Sequence, residues 1–179
     1  MAVLNFIIAP NPIFKQKAKP VAEVNDNIRK VANDMLDTIY HEGALGIGAN
    51  MVGVEHKIAV IDLRENNIRN PIVLINPEIT QYSEETESAD EGSFSFPGIT
   101  VSVPRATKVT VNYLDLEGKS QTLQAEGFLA RVVQHEVDYL YGKTFLDYTS
   151  PLKQSLLITK MLKYIKNNPP HVHGAHCHH

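Results

Sequence analysis

Residues 134–140 read Gln134-His135-Glu136-Val137-Asp138-Tyr139-Leu140, which is close to the H-E-x-x-H pattern of zinc hydrolases. Residues four apart share one face of a helix, so that pattern presents two imidazoles to one metal ion with a carboxylate beside them. Here the position four residues after His135 is Tyr139, whose neutral phenol has a pKa near ~10 and is a poor metal ligand. The stretch predicts a helix of the hydrolase type that lacks one of its ligands.

The composition indicates one globular domain. The chain has 179 residues, of which 43% are hydrophobic and 21% charged, and this is enough to bury one core. A net charge of −3 and the lack of a Lys/Arg-rich block give no reason to expect nucleic acid as a partner. No run approaches about eighteen apolar residues, and the first residues lack the features of a signal peptide. We therefore expect a soluble, cytoplasmic monomer without a membrane partner.

The number and position of the cysteines exclude two kinds of chemistry in the core. The single cysteine, Cys177, lies at the end of the chain. The sequence therefore predicts no internal disulfide, and no thiolate in the core to act as a metal ligand or nucleophile.

The first half of the chain alternates apolar runs with breaks. A strand-like start over 3–8 ends at two prolines, and a capped amphipathic helix begins near Asn25 and ends near Gly43. The glycine-rich segment 43–53 lacks the Lys-Ser/Thr of a P-loop and follows a helix, so we interpret it as close backbone packing and not as a phosphate cradle. Two buried strands are predicted over 58–63 and 72–77.

The second half predicts an antiparallel sheet and two helices. Residues 81–91 are acidic and are expected to form an exposed loop. Alternating runs follow, with a hairpin turn at Asp115-Leu116-Glu117-Gly118, then a helix from Gly127 through Tyr139, and a last helix that begins at Ser150-Pro151. The predicted class is α+β, with antiparallel sheets packed around the central helix that carries His135 and Glu136.

Three separated segments resemble, in the same order, the three signatures of the peptide deformylases. They are Gly46-Ile47 to Gly53, Glu91-Gly92-Ser93-Phe94-Ser95 and His135-Glu136-Val137-Asp138-Tyr139-Leu140. The linking segments 103–106 and 142–153 are similar to the family as well. Several motifs in order are more specific than any one of them. The resemblance extends from about residue 1 to residue 167.

The resemblance implies a metallohydrolase that removes the formyl group from the N-terminal methionine of new proteins. In that family one cysteine and two histidines hold iron or zinc, a glutamate carries protons, and a glutamine and a backbone N–H form the oxyanion hole. The matching positions here are, for the ligands, Ser93, His135 and Tyr139, for the proton carrier, Glu136, and for the oxyanion hole, Met51 and the N–H of Phe94. Ser93, Tyr139 and Met51 depart from the family pattern.

These departures predict an impaired enzyme. A serine hydroxyl is not ionised near neutral pH and binds zinc or iron weakly, so one good ligand remains where catalytic zinc ordinarily has three. We therefore expect no metal cofactor in the core site. Loss of the oxyanion donor at Met51 costs roughly 100- to 1000-fold in comparable sites. The sequence favours a non-catalytic binding or regulatory role, with peptide N-termini as candidate partners; the alternative is a residual or altered hydrolase of peptide N-termini.

The remaining polar residues have more than one interpretation. Ser93 and His135 could form a metal-free nucleophilic site, although the sequence shows no evident carboxylate to orient the histidine. Glu136 could bond nearby backbone. Tyr139 is expected to fill the space of the missing imidazole and metal, with its hydroxyl about 2.6–3.2 Å from His135, Glu136 or Ser93.

The resemblance also predicts a substrate pocket, lined by Leu45, Gly46, Glu91, Phe128, Arg131 and Val132. Arg131 stands four residues before His135, where family members usually have an apolar residue, and its guanidinium either fills the pocket or extends past it. Glu91 and Arg105 keep the family's pairing of a carboxylate with an arginine, which we interpret as structural.

The sequence divides into a domain over 1–168 and a tail over 169–179 that is expected to be disordered. Five of the eight histidines and the single cysteine lie in the tail, at His171, His173, His176, Cys177, His178 and His179. Such a composition can bind nickel, zinc or copper without a fold.

Overall fold

A computed structural model describes residues 2–170 of the chain. In this part of the protein there are three α-helices and seven strands: α1 (Asp26–Glu42), β1 (Gly46–Gly48), β2 (Ile58–Ile61), β3 (Ile72–Tyr82), β4 (Thr86–Ser93), β5 (Phe96–Ala106), β6 (Lys108–Leu114), β7 (Ser120–Glu126), α2 (Gly127–Leu140) and α3 (Pro151–Asn167). Within residues 2–170, none of the helices has the length and apolar character needed to cross a membrane.

The strands form two antiparallel sheets around α2. The larger sheet has the order β1-β2-β3-β6-β7, and the smaller one pairs β4 with β5. Helix α2 packs against β1, β2 and β7 of the first sheet and against β5 of the second. The predicted α+β class with a central helix is therefore confirmed.

The helix boundaries follow from capping chemistry. The Asn25 side chain accepts a hydrogen bond from the N–H of Ile28, and Gly43 ends α1 with a φ of 73°, a conformation that favours glycine. The predicted hairpin is also present, since β6 and β7 pair along their whole length. Strand β7 leads directly into α2, so the sheet fixes where the central helix begins.

The glycine-rich segment lets two backbones come close together. A Cβ at Gly48 would lie 2.9 Å from the Cβ of Tyr139 and 3.0 Å from the backbone oxygen of Glu136. At Gly46 it would lie 3.0 Å from the Cγ of Glu136. The 2.9 Å distance at Gly48 is shorter than real Cβ contacts, and the 3.0 Å distances are tighter than nearly all of them, so β1 favours glycine where α2 crosses it. The interpretation as close packing is supported by this geometry.

Two sequence predictions were wrong. Residues 81–91 do not form a loop, because they complete β3 and form most of β4, which pairs with β5. Most side chains of β4 are exposed, and its acidic composition therefore hid a strand. The start of the chain forms no strand over 3–8; its N–H groups bond other partners, such as the Thr38 hydroxyl at 2.9 Å from Leu4 N and the Met51 carbonyl at 2.7 Å from Ile7 N.

Candidate functional site

One cavity, of about 270 Å³, lies between α2, the end of β4 and the segment after α1. Its wall includes all six residues of the predicted pocket and five of the six positions that match the family's catalytic and ligand residues: Leu45, Gly46, Met51, Glu91, Ser93, Phe94, Phe128, Arg131, Val132, His135 and Glu136. Tyr139, the sixth, is fully buried behind the wall. The fold thus brings the three family segments to one place.

The cavity has a buried floor and an exposed mouth. Met51 and Glu136 are only 2% and 5% exposed, whereas Phe94 and Phe128 are 45% and 57% exposed. The Phe94 ring stacks on Phe6 with the ring centroids 5.1 Å apart. A ligand that entered would pass between aromatic side chains and reach a mixed floor of Met51 and Glu136.

Ser93 and Tyr139 form a hydrogen-bonded hydroxyl pair. The Tyr139 hydroxyl donates to Ser93 Oγ at 2.7 Å, within the distance expected from the sequence. The Tyr139 ring meets the rings of His135 and Phe14 edge-on, with centroids 5.4 and 5.9 Å away. Burial raises the pKa of Tyr139 well above its ordinary value, so the phenol stays neutral. Two family ligand positions are therefore engaged with each other.

Glu91 is the acceptor at the centre of an ion-pair network. Its oxygens accept from Arg105 Nε and Nη2 at 2.9 and 2.8 Å, and from Arg131 Nη1 at 2.6 Å. His135 Nδ1 lies 2.7 Å from Glu91 Oε1. Burial alone would raise the pKa of Glu91, but the bonds from Arg105 and His135 outweigh it and lower the pKa to about 2. This carboxylate is ionised at neutral pH.

These hydrogen bonds bear on three expectations from the sequence, about His135, Arg131 and Arg105. The sequence showed no carboxylate that could orient His135, yet Glu91 is hydrogen-bonded to its ring. Arg131 lines the cavity, and its guanidinium also extends past it, because it bonds not only Glu91 but the carbonyls of Val103, at 2.9 Å, and Glu87, neither of which lines the cavity. The predicted pairing of Glu91 with Arg105 is confirmed at 2.8 Å.

Two contacts of Arg105 were missed in the sequence. Arg105 Nη1 donates to Asp138 Oδ2 at 2.6 Å and to the Tyr148 hydroxyl at 2.9 Å. Asp138 lies three residues after His135, but its partner is 33 residues away along the chain. Only the tertiary fold brings them together. The five charged or titratable side chains joined in this way are called the Glu91 network: Glu91, Arg105, Arg131, His135 and Asp138.

Glu136 contrasts with that network because it is short of partners. It is 5% exposed, and its Oε2 has no hydrogen-bond partner among the described residues. Burial raises the pKa of Glu136 to about 7, although the neighbouring His135 and the backbone N–H of Gly48 act in the opposite direction. The expectation that Glu136 bonds backbone therefore accounts for part of this carboxylate only.

The side chains at this centre do not fit the family metal. Among residues 2–170 there is no group of three histidine, cysteine or acidic side chains placed to hold an ion. Ser93 and Tyr139 offer neutral hydroxyls that already bond each other, whereas iron and zinc sites need imidazole, thiolate or carboxylate ligands. The predicted tail ligands at 171–179 lie outside the described residues.

This arrangement defines a hydrolase-type scaffold, in which a central helix presents a histidine and a glutamate to a cavity beside a two-stranded sheet. The chain belongs to the peptide deformylase family. The family profile described as Polypeptide deformylase matches residues 3–155.

Comparisons with individual proteins agree with this assignment. A peptide deformylase-like protein of Rickettsia conorii is 54% identical over 173 residues, which cover 97% of this chain and 94% of that protein. A peptide deformylase of Rickettsia akari is 42% identical, covering 94% of this chain and 99% of that one. The crystal structure of peptide deformylase from Ehrlichia chaffeensis in complex with actinonin superimposes with a TM-score of 0.86 at 32% identity, and the match covers 95% of this chain and all (100%) of that chain.

Proposed function

We propose that this protein is a non-catalytic member of the peptide deformylase family that binds peptide N-termini in its cavity. We further propose that it acts as a monomer in the cytoplasm and needs neither iron nor zinc in the core. The observation that carries the proposal is the 2.7 Å hydrogen bond between Tyr139 and Ser93, which joins two of the three family ligand positions to each other.

Loss of chemistry follows from this hydrogen bond and from Met51. A metal ion would have to separate the hydroxyl pair and would gain two weak neutral ligands in exchange. Met51, buried at the floor, has no side-chain N–H to stabilise an oxyanion. Each of these changes acts against the hydrolytic step, and neither closes the cavity. Binding without turnover is what such a site supports.

Deformylation assays on the full chain test the proposal. We expect no release of formate from formyl-methionyl peptides above background, and no anomalous scattering from iron or zinc beside His135 in crystals. Because anomalous scattering locates an ion, metal bound elsewhere does not confuse the result. The triple substitution Ser93→Cys, Tyr139→His and Met51→Gln should restore metal and measurable turnover. Turnover by the unaltered protein that disappears in Glu136→Ala would contradict the proposal.

A second candidate, an altered hydrolase, is favoured by one contact. Glu91 bonds His135 Nδ1 at 2.7 Å, as an orienting carboxylate does in a nucleophilic site, and Ser93 lies on the same cavity wall. A metal-free serine hydrolase of peptide N-termini would lose turnover in Ser93→Ala and keep it in the presence of a chelator. The metal-dependent remnant would show the opposite response to the chelator.

We also propose that the tail binds nickel, zinc or copper. Its support is the density of ligands, with five histidines and one cysteine within 171–179. Titration calorimetry with each ion should show binding by the full chain, and no binding by a full-length variant in which all six side chains are replaced by alanine. Equal binding by both proteins would place the ion elsewhere.

A further inference from the structure

We infer that the cavity binds the free, positively charged amino terminus of a peptide whose first residue is apolar, in preference to a formylated terminus. The inference rests on the proposed function and names its ligand class. The family reaction would yield such a terminus as its product, so this protein would recognise a chain after deformylation and not before it.

The first observation is the unpaired oxygen of Glu136. Its Oε2 is buried without a hydrogen-bond partner among residues 2–170, and the residue lines the cavity floor. Buried polar atoms in native proteins are almost always paired, so an unpaired carboxylate oxygen beside a cavity is a candidate site for a hydrogen-bond donor of a ligand. An ammonium group offers three donors, and a charge-assisted hydrogen bond to a carboxylate is roughly twice as strong as a neutral one.

The second observation is the balance of charge around the floor. The guanidinium groups of Arg105 and Arg131 both bond Glu91, and Arg105 also bonds Asp138. Three carboxylates line the cavity, those of Asp90, Glu91 and Glu136. The fourth, Asp138, lies next to them as the partner of Arg105. Two guanidinium groups thus stand against four carboxylates, so the site has a net negative charge when Glu136 is ionised, and a bound ammonium group would favour that ionised form. This negative charge attracts a cation.

The third observation is what a formyl group would lack. Its oxygen, buried at the floor, would have the backbone N–H of Phe94 as one donor, but Met51 has no polar side-chain hydrogen for a second bond. A free amine has no such oxygen, so it needs no hydrogen-bond donor at the position of Met51. The apolar wall that Leu45, Phe128 and Val132 form suits an apolar first side chain in either case. The apolar wall therefore favours a peptide with an apolar first side chain, and Glu136 favours a free amine over a formylated one.

Calorimetric titration of the full chain at pH 7 tests the inference, since peptide α-amines with pKa values near ~7.7–8.0 are mostly charged there. The probes are a methionine tripeptide amide with a free amine and the same peptide formylated or acetylated. We expect the free amine to bind at least about 10-fold more tightly, a difference of about 1.4 kcal/mol. Glu136→Gln should remove that preference and leave the affinity for the formyl peptide within about 2-fold.

A matched control is Glu87→Gln, at an exposed position of β4 that does not line the cavity, and it should keep the preference. Should Glu136→Gln fail to fold, the peptide series on the unaltered protein decides alone. Equal or tighter binding of the formyl peptide, or a preference that survives Glu136→Gln, overturns the inference and leaves the proposed function standing. Binding of none of the three peptides overturns both.

Discussion

Glu91 and Glu136 are buried to the same degree, 6% and 5% exposed, and both interact with His135, yet they are in opposite electrostatic situations. Glu91 bonds two guanidinium groups and an imidazole, and the bonds from Arg105 and His135 outweigh burial and lower its pKa to about 2. Glu136 has an oxygen without a partner among the described residues, and burial raises its pKa to about 7. Because desolvation acts on both in the same direction, the difference comes from the hydrogen-bond donors.

We interpret Glu91, with its complete set of hydrogen bonds, as a structural carboxylate, and Glu136 as a carboxylate of the candidate binding site. A carboxylate with its hydrogen bonds complete holds elements together, and here Glu91 joins β4 to β5 and α2 through Arg105, Arg131 and His135. A carboxylate left short of donors costs stability, and such groups cluster at functional sites. Ser93, Tyr139 and Met51, the positions at which we propose a change from the family pattern, are called together with Glu136 the Glu136 side of the cavity. The Glu91 network joins the smaller sheet to α2.

The largest effect is expected when the acceptor of the network is removed. Glu91→Gln should lower the free energy of unfolding by about 3–5 kcal/mol, because it leaves buried guanidinium groups short of a counter-ion. Urea denaturation at pH 7 measures it. Glu87→Gln, at an exposed position of the same strand, should change stability by less than about 0.5 kcal/mol. If the two variants lost equal stability, Glu91 would have no structural role.

The second prediction concerns pH. Glu136 has a folded pKa of about 7, above its ordinary value of 4.5, so the folded state binds more protons between those values. Its contribution to stability is therefore present below about pH 4.5 and is lost as pH rises towards 7. Glu136→Gln should remove this loss and gain about 2 kcal/mol relative to the unaltered protein between pH 5 and pH 8.

Denaturation at both pH values tests the sign of this effect. The pKa of Glu91 is shifted in the other direction, so its contribution is present above about pH 4.5 and is lost as pH falls towards 2. The two carboxylates should therefore limit the stable range from opposite sides. A Glu136→Gln variant that is less stable at pH 8 than at pH 5, relative to the unaltered protein, would show that Glu136 has a donor after all.

The third prediction tests one arm of the network. Arg131→Met keeps much of the side-chain volume but removes the bonds to Glu91 and the Val103 carbonyl. Arg105 remains on Glu91, so we expect a loss of about 1–2 kcal/mol, well below that of Glu91→Gln. The control is Lys108→Met, which breaks an exposed pair with Glu126 at 3.9 Å and should cost less than about 0.5 kcal/mol. A loss as large as that of Glu91→Gln would make Arg131 the dominant partner.

The sequence predicted those features of the fold that depend on residues close together in the chain. Helix caps at Asn25 and Ser150, the β6–β7 hairpin and the family segments all lie within a few residues of their signals, and each is where it was predicted. Strand β4 was missed because its side chains are mostly exposed and acidic, and only pairing with β5 makes it a strand. Local pattern cannot report a partner that is distant in the chain.

The site shows the same limit. Ser93 and Tyr139 are 46 residues apart, and their bond was expected only because the family resemblance placed them together. The bonds of Glu91 to His135 and of Arg105 to Asp138 span 44 and 33 residues, and no local sequence pattern predicted them. The unpaired oxygen of Glu136 is a property of packing, since it depends on which donors the fold fails to bring near. Residue identity alone could not predict it.

The smallest effect is expected at the hydroxyl pair. Tyr139→Phe removes the 2.7 Å bond to Ser93 and leaves the ring packing unchanged, so it should cost about 1 kcal/mol in urea denaturation at pH 7. Tyr164→Phe, at a position 44% exposed, is the matched control and should cost less than about 0.5 kcal/mol.

A double-mutant cycle with Ser93→Ala isolates the bond itself. If the two hydroxyls depend on each other, the double variant should be about 0.5–1.5 kcal/mol more stable than the sum of the single losses predicts. Additive losses would mean that the bond between the two hydroxyls contributes no stability, and that a metal ion could separate Ser93 from Tyr139 without losing it. Coupling, by contrast, would make the bond part of the fold. The Glu136 side would then combine one satisfied hydroxyl pair with one carboxylate oxygen that lacks a partner among the described residues, which agrees with the proposed binding without a metal.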